Sequence, residues 1–238
     1  MIIKLTKLRI IIAAVFICMV VISITFYAFS KRNVKQTITM PDGAPLLIID
    51  AGHGGFDSGA VAADDTFEKD LNLAVALKLS EQAKALGYNT IMIRDSDDAV
   101  APNDEEEVSK LTDMRTRLKI MGEYENSIFV SIHMNEFSSG APNGAQVFYA
   151  PNEFAKESAE LAEFIQKSIA TDLQHNNKRT IKKGTKDAYL LYYAKSCAVI
   201  VECGFLSNAE DLKNLKNDEY QSKLAFSILK GILDYYRQ

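Results

Sequence analysis

Three short apolar runs constrain the fold more than anything else in the chain. They are "LLIID" (Leu46–Asp50), "SIFVSIH" (Ser127–His133) and "AVIVE" (Ala198–Glu202). Runs this short and this uniformly apolar read as strands buried on both faces. Segments with helical spacing lie between them. Lys69–Leu86 sets Leu71, Leu73, Val75, Leu77, Leu79 and Ala83 among polar residues, with Gly87 as a C-cap candidate. Val108–Gly122 shows the same spacing at Leu111, Met114, Leu118 and Met121. Helices are also expected over Glu153–Leu173, Asn208–Asn217 and Glu219–Tyr236, and strands over Asn89–Arg94 and Ala145–Tyr149. Ala99–Glu107 and Asn176–Lys186 read as loops. Strands alternating with helices of this length predict βαβ units and an α/β fold, its mainly parallel sheet flanked by helices on both faces.

Ahead of this pattern, Ile10–Phe29 contains no charged residue. A run of about 20 apolar residues matches a hydrocarbon layer of about 30 Å. It is longer than the apolar core of a secretory signal, about 7–15 residues, and only Ala28-Phe29-Ser30 resembles a cleavage site. Residues 1–35 are therefore expected to be a cytoplasmic stub and signal anchor, with a cleaved signal peptide as the alternative. Residues 36–45 read as a linker and 46–238 as the globular domain. Six of the 27 bases lie within residues 1–35, so the remaining 21 face all 31 acids. An acidic domain of this kind has no electrostatic footprint for nucleic acid. Cys18 lies in the apolar run. Cys197 and Cys203 have no framework spacing and read as buried free thiols.

All three buried strands end in polar residues. Parallel strands bring their carboxyl ends to one edge, where ligands bind in such sheets. His53, His133 and Glu202 should therefore converge, with Glu68 nearby at the start of the first helix. Two histidines and a carboxylate suit a catalytic zinc with one open position, and a further carboxylate suits proton transfer. The glycines around His53 let the backbone turn sharply. Each residue also has a plainer reading. His53 would then be a surface residue in a glycine turn, His133 a satisfied core histidine, Glu202 half of an ion pair, and Glu68 a helix N-terminal acid. Cys203 beside Glu202 raises a thiol hydrolase as an alternative. Neighbouring strand residues point to opposite faces, which argues against it. A non-catalytic exported binding module is the other alternative.

"IIDAGHGGFDSGA", "EKDLNLAVALKL", "FVSIHMNEF" and "VIVECGFLSN" resemble, in order, the four signature blocks of the zinc-dependent N-acetylmuramoyl-L-alanine amidases of the amidase-3 type. The resemblance runs from Leu46 to Tyr236. It implies a single catalytic domain with a mixed, mostly parallel sheet of about six strands. It also implies hydrolysis of the amide between N-acetylmuramic acid and L-alanine in peptidoglycan. The family's zinc ligands fall on His53, Glu68 and His133 and its catalytic glutamate on Glu202, with one Zn2+ per chain. Arg117 matches a basic residue of the family that holds a carboxylate or stabilises the site. Asn135 is a candidate for substrate contact or loop capping. Asp50 is a candidate for orienting His53 or capping its turn. "NGAQVFYAPN" (Asn143–Asn152) resembles the germination-specific amidases of the spore cortex, with a vegetative or division amidase as the alternative. The expected setting is outside the cytoplasmic membrane, with peptidoglycan as substrate, a monomeric catalytic domain and room for an activator protein.

Overall fold

A computed structural model describes Met19 and residues 43–100, 109–139 and 142–237. The rest of the apolar run Ile10–Phe29, Cys18, the linker before Gly43 and residues 101–108 of the acidic loop lie outside the described residues. The chain divides into two units, Met1–Thr39 and Met40–Gln238, and every element below belongs to the second.

Six strands form one sheet: β1 (Leu46–Ala51), β2 (Thr90–Met92), β3 (Ser127–Asn135), β4 (Gln146–Tyr149), β5 (Lys182–Lys183) and β6 (Cys197–Phe205). Their spatial order is β2-β1-β3-β6-β4-β5. The pairs β1/β2, β1/β3, β3/β6 and β4/β5 are parallel, and only β4/β6 is antiparallel. The fold is thus the expected α/β arrangement with a mixed, mostly parallel six-stranded sheet.

Some boundaries differ from the sequence expectation. β3 and β6 do not stop at His133 and Glu202 but run on to Asn135 and Phe205. The register breaks between His133 and Asn135, so the polar residues sit where regular pairing ends. The expected loop Asn176–Lys186 contains β5, whose two lysines and exposed edge gave no apolar signal.

The helices are α1 (Glu68–Ala85), α2 (Lys110–Gly122), α3 (Ala155–Asp172), α4 (Tyr189–Tyr192), α5 (Ala209–Leu215) and α6 (Asp218–Tyr235). α1, α3 and α6 pack together on one face of the sheet. The short α4, absent from the sequence reading, lies with α2 on the other. There Met121, Leu190 and Leu191 pack with Ile48, Phe129 and Ala198. In α1 the buried stripe is Leu71, Val75, Ala76, Leu79 and Ala83, while Leu77 faces outward. Three helices are capped by side chains. Ser109 and Thr112 form a capping box on α2, Asn208 caps α5 and Asn217 caps α6. α1 has no side-chain cap, and its first amides donate instead to the backbone of the preceding loop, Glu68 N–H to Ala60 O (2.9 Å) and Lys69 N–H to Ser58 O (3.1 Å). That loop therefore fixes Glu68 at the helix start.

α3 and α6 meet backbone to backbone at Gly231. A Cβ there would stand 2.5 Å from Ile165 Cα and 2.8 Å from Ile165 N. Gly231→Ala must push the helices apart, an overpacking cost of about 1–3 kcal/mol that outweighs the gain in helix propensity. Urea denaturation of the two proteins should show the lower midpoint for the alanine variant.

Candidate active site

The site grows from the turn that follows β1. His53 adopts φ 61°, a left-handed conformation uncommon outside glycine, and Gly54 (132°) and Gly55 (54°) continue the turn. Two arginines hold its carbonyl oxygens. Arg117 of α2 donates to Ala51 O at 3.0 Å and to His53 O at 2.6 Å. Arg94, after β2, donates to Ala51 O at 2.8 Å and Gly52 O at 3.0 Å. Arg117 is in turn gripped by the fully buried Asp50 and by Asp113 at 2.7 Å. Ser131 Oγ donates to the second oxygen of Asp50 at 2.6 Å. Burial alone would raise the Asp50 carboxyl, but the Arg117 charge and the Ser131 hydroxyl hold it below the usual range.

Around this turn three donors converge. His53 Nε2 lies 3.3 Å and His133 Nδ1 2.9 Å from Glu68 Oε1. The ligand atoms of the three residues lie within 4.8 Å of one another. Tetrahedral zinc with bonds near 2.0–2.2 Å separates its ligands by about 3.3 Å, so the donor set and its spacing fit that ion. The other nitrogen of His53, Nδ1, is 2.8 Å from Asp57 Oδ2. Glu68 Oε2 accepts from Ala60 N–H at 2.9 Å, and Oε1 accepts from Met134 N–H at 3.1 Å. Burial pushes the Glu68 carboxyl up, and its bonds to His133 and His53 pull it far below the usual range. Two glycines make room for the cluster. A Cβ at Gly52 would lie 2.2 Å from the His133 ring, and one at Gly59 would lie 2.6 Å from Glu68 Oε2.

Glu202 stands beside His133 in register on the neighbouring strand. Its Oε2 is buried and has no hydrogen-bond partner among the described residues. Burial pushes its carboxyl up to about 7, against the pull of His133. A cleft of about 300 Å³ opens past it, with Met114, Leu190 and Ile200 as an apolar wall and Lys110 and Tyr189 at its sides.

The structure thus brings together His53, Glu68, His133 and Glu202. Asp50 touches neither the His53 ring nor the turn amides, and reaches the turn only through Arg117. Arg117 holds two carboxylates and two backbone carbonyls, those of Ala51 and His53. Asn135 lies beyond the register break, where its carbonyl accepts from Leu206 N–H at 2.8 Å, and it does not line the cleft. Cys203 is fully buried, its thiol pushed well above the ordinary value by burial, and both it and Cys197 are free thiols. Sequence reasoning missed Asp57, Arg94 and Asn72, whose Nδ2 donates to Gly52 O at 3.0 Å. Asp57 carried a signal, lying four residues after His53 inside the same glycine-rich block.

Such a fold and donor set define an α/β enzyme with a site able to hold a metal ion. The chain belongs to the N-acetylmuramoyl-L-alanine amidase family, whose Amidase_3 model matches residues 47–234. It is similar to the germination-specific N-acetylmuramoyl-L-alanine amidase of Bacillus subtilis (strain 168), with 33% identity over 214 residues, 89% of this chain and 88% of that protein. It is 34% identical to the amidase LytC of the same organism over 209 residues, 87% of this chain but 38% of LytC. Among solved structures, it resembles the CwlD amidase of Clostridioides difficile in complex with the GerS lipoprotein. That match has 36% identity and a TM-score of 0.75, covering 81% of this chain and 98% of that one.

Asp50→Asn breaks a buried ion pair and leaves Arg117 partly unmatched, so it should cost about 3–5 kcal/mol at neutral pH. The Asp50 carboxyl is depressed in the folded state. Its contribution is therefore present above the unfolded value of about 3.9 and lost as pH falls through the folded one. Urea denaturation should show the gap between wild type and variant narrowing below about pH 4.

Proposed function

We propose that this amidase is zinc-dependent, with His53, Glu68 and His133 as the metal ligands and Glu202 as the proton-transfer group. The observation that carries the reading is a compact two-histidine, one-carboxylate cluster beside a buried carboxylate oxygen without a partner. When bound there, the ion supplies a Lewis acid that polarises a carbonyl and acidifies water. The chain's own residues supply the rest. Asp57 fixes the His53 ring by bonding Nδ1, which leaves Nε2 as the ligating atom. Arg117 and Arg94 hold the backbone that presents it. Glu202 Oε2 takes a proton from the attacking water and delivers it to the L-alanine nitrogen as the amide breaks. The apolar wall of the cleft keeps that exchange out of bulk water.

We further propose the spore cortex as the setting, supported by the likeness to the germination-specific enzyme. The domain would act outside the cytoplasmic membrane, tethered by Ile10–Phe29. Among the described residues no helix is long and apolar enough to cross a membrane, so the tether rests on the sequence alone. A lipoprotein partner that activates the enzyme is proposed on the likeness to an amidase solved in complex with a lipoprotein.

Chelation should abolish release of stem peptide from peptidoglycan, and added zinc should restore it. Glu202→Gln should lower kcat by about 10²–10⁴-fold while zinc content stays unchanged. Full activity in that variant would refute the assigned role. Asp57→Asn should weaken zinc binding by about 10–100-fold in a competition titration with a chromophoric chelator. In the cortex setting, stripping the stem peptide from N-acetylmuramic acid is proposed as the first step towards muramic-δ-lactam, so spores lacking the gene should lose that lactam from their muropeptide profile. An unchanged spore profile with unseparated daughter cells would move the enzyme to division.

A further inference from the structure

The domain is acidic, yet Lys178–Lys186 holds five bases and no acid: Lys178, Arg179, Lys182, Lys183 and Lys186. This segment runs beside the candidate site. In the antiparallel β4/β6 pair Gln146 faces Glu202 and Phe148 faces Ile200. Cross-strand partners share a face of the sheet, so Gln146 and Phe148 extend the face that carries Glu202. Both hold a cation. Arg179 Nη2 donates to Gln146 Oε1 at 3.1 Å, and the guanidinium lies 4.8 Å over the Phe205 ring. Lys182 Nζ lies 5.7 Å over the Phe148 ring. Neither cation has a carboxylate within ion-pair distance among the described residues. The charge of Arg179 is felt by Asp211, but Asp211 Oδ2 already accepts from Gly144 and Phe205 N–H, at 2.8 and 2.9 Å.

The positions of the reacting groups give this strip a direction. His53, Glu68 and His133 lie on the β1/β3 side of Glu202. If the carbonyl faces them and the nitrogen faces Glu202, the peptide beyond the nitrogen leaves across β4. We propose that Arg179, with Lys182 beside it, is a specificity-determining subsite for a carboxylate of the stem peptide, an acidic peptide. The inference rests on the amidase reading and on Glu202 as proton donor to the nitrogen. Gln146 and Phe205 hold the guanidinium in place before substrate arrives, so little side-chain freedom is lost on binding. The planar fork of arginine suits two-point contact with a carboxylate, and lysine gives a single-point contact.

The test uses the zinc-loaded full chain and a pair of peptidoglycan fragments, one with free stem-peptide carboxylates and one with those carboxylates converted to carboxamides. Release of peptide with a new N-terminal alanine is measured. Wild type should prefer the free acid by about tenfold in kcat/KM, the size of one charge-assisted contact. The preference should shrink as salt rises. Arg179→Gln should remove it by slowing the acid and leaving the amide within about twofold. Arg179→Lys should keep part of it, and Lys182→Gln should reduce it. Equal losses on both fragments would make Arg179 structural and overturn the proposal. Equal cleavage of both by wild type would overturn it while leaving the amidase reading intact. Cleavage of neither would defeat that reading and the inference with it.

Discussion

The site depends on the buried pairing of Asp50 with Arg117. A strand end alone would not keep His53 in a left-handed turn. The turn persists because its carbonyls are occupied by guanidinium groups, and Arg117 stays buried because Asp50 and Asp113 compensate its charge. Burying such a pair seldom adds net stability over an apolar replacement, yet removing one partner is costly. Here the pair also fixes one geometry. It ties β1, through Asp50, to α2, through Arg117, and ends on the peptide oxygen of His53. Ser131 on β3 adds a further anchor, so the strand that leads into the His53 turn and the strand that carries His133 are locked to each other below the site.

Much of this was legible in the sequence. The apolar runs located β1, β3 and β6, and their polar termini located His53, His133 and Glu202, because a parallel sheet gathers strand ends on one edge. What escaped was what periodicity does not encode. β5 is two exposed lysines, and α4 is a single turn between loops. The register break that ends regular pairing after His133 follows from tertiary packing. Asp50 and Arg117 were each singled out, Asp50 for orienting His53 or capping its turn and Arg117, through the resemblance, for holding a carboxylate. That they pair with each other could not be read, because they lie far apart in the chain and the apolar stripe of α2 says nothing of one buried base. Asp57 was hidden by its setting, since an aspartate in a glycine-rich turn has several ordinary uses.

β4 runs antiparallel to its neighbour β6. A parallel strand next to β6 would have brought another loop and helix N-terminus over Glu202. β4 instead runs the other way, and places two ordinary side chains, Gln146 and Phe148, alongside Glu202 and Ile200. The cleft over Glu202 is lined by α2 through Met114 and Arg117 and by the start of α4 through Tyr189 and Leu190.

The four site residues are spread from position 53 to position 202, with no two of them on one turn of helix. No short stretch of the unfolded chain can therefore chelate an ion on its own. A metal held by this cluster would be captured only after the sheet has assembled, and released when the sheet opens. Metal occupancy and folding would then be a single linked equilibrium. Mutations far from the cleft that lower folding stability will also lower the effective affinity for the ion. An assay of total metal in the purified protein would then report on the integrity of the whole domain as much as on its ligands.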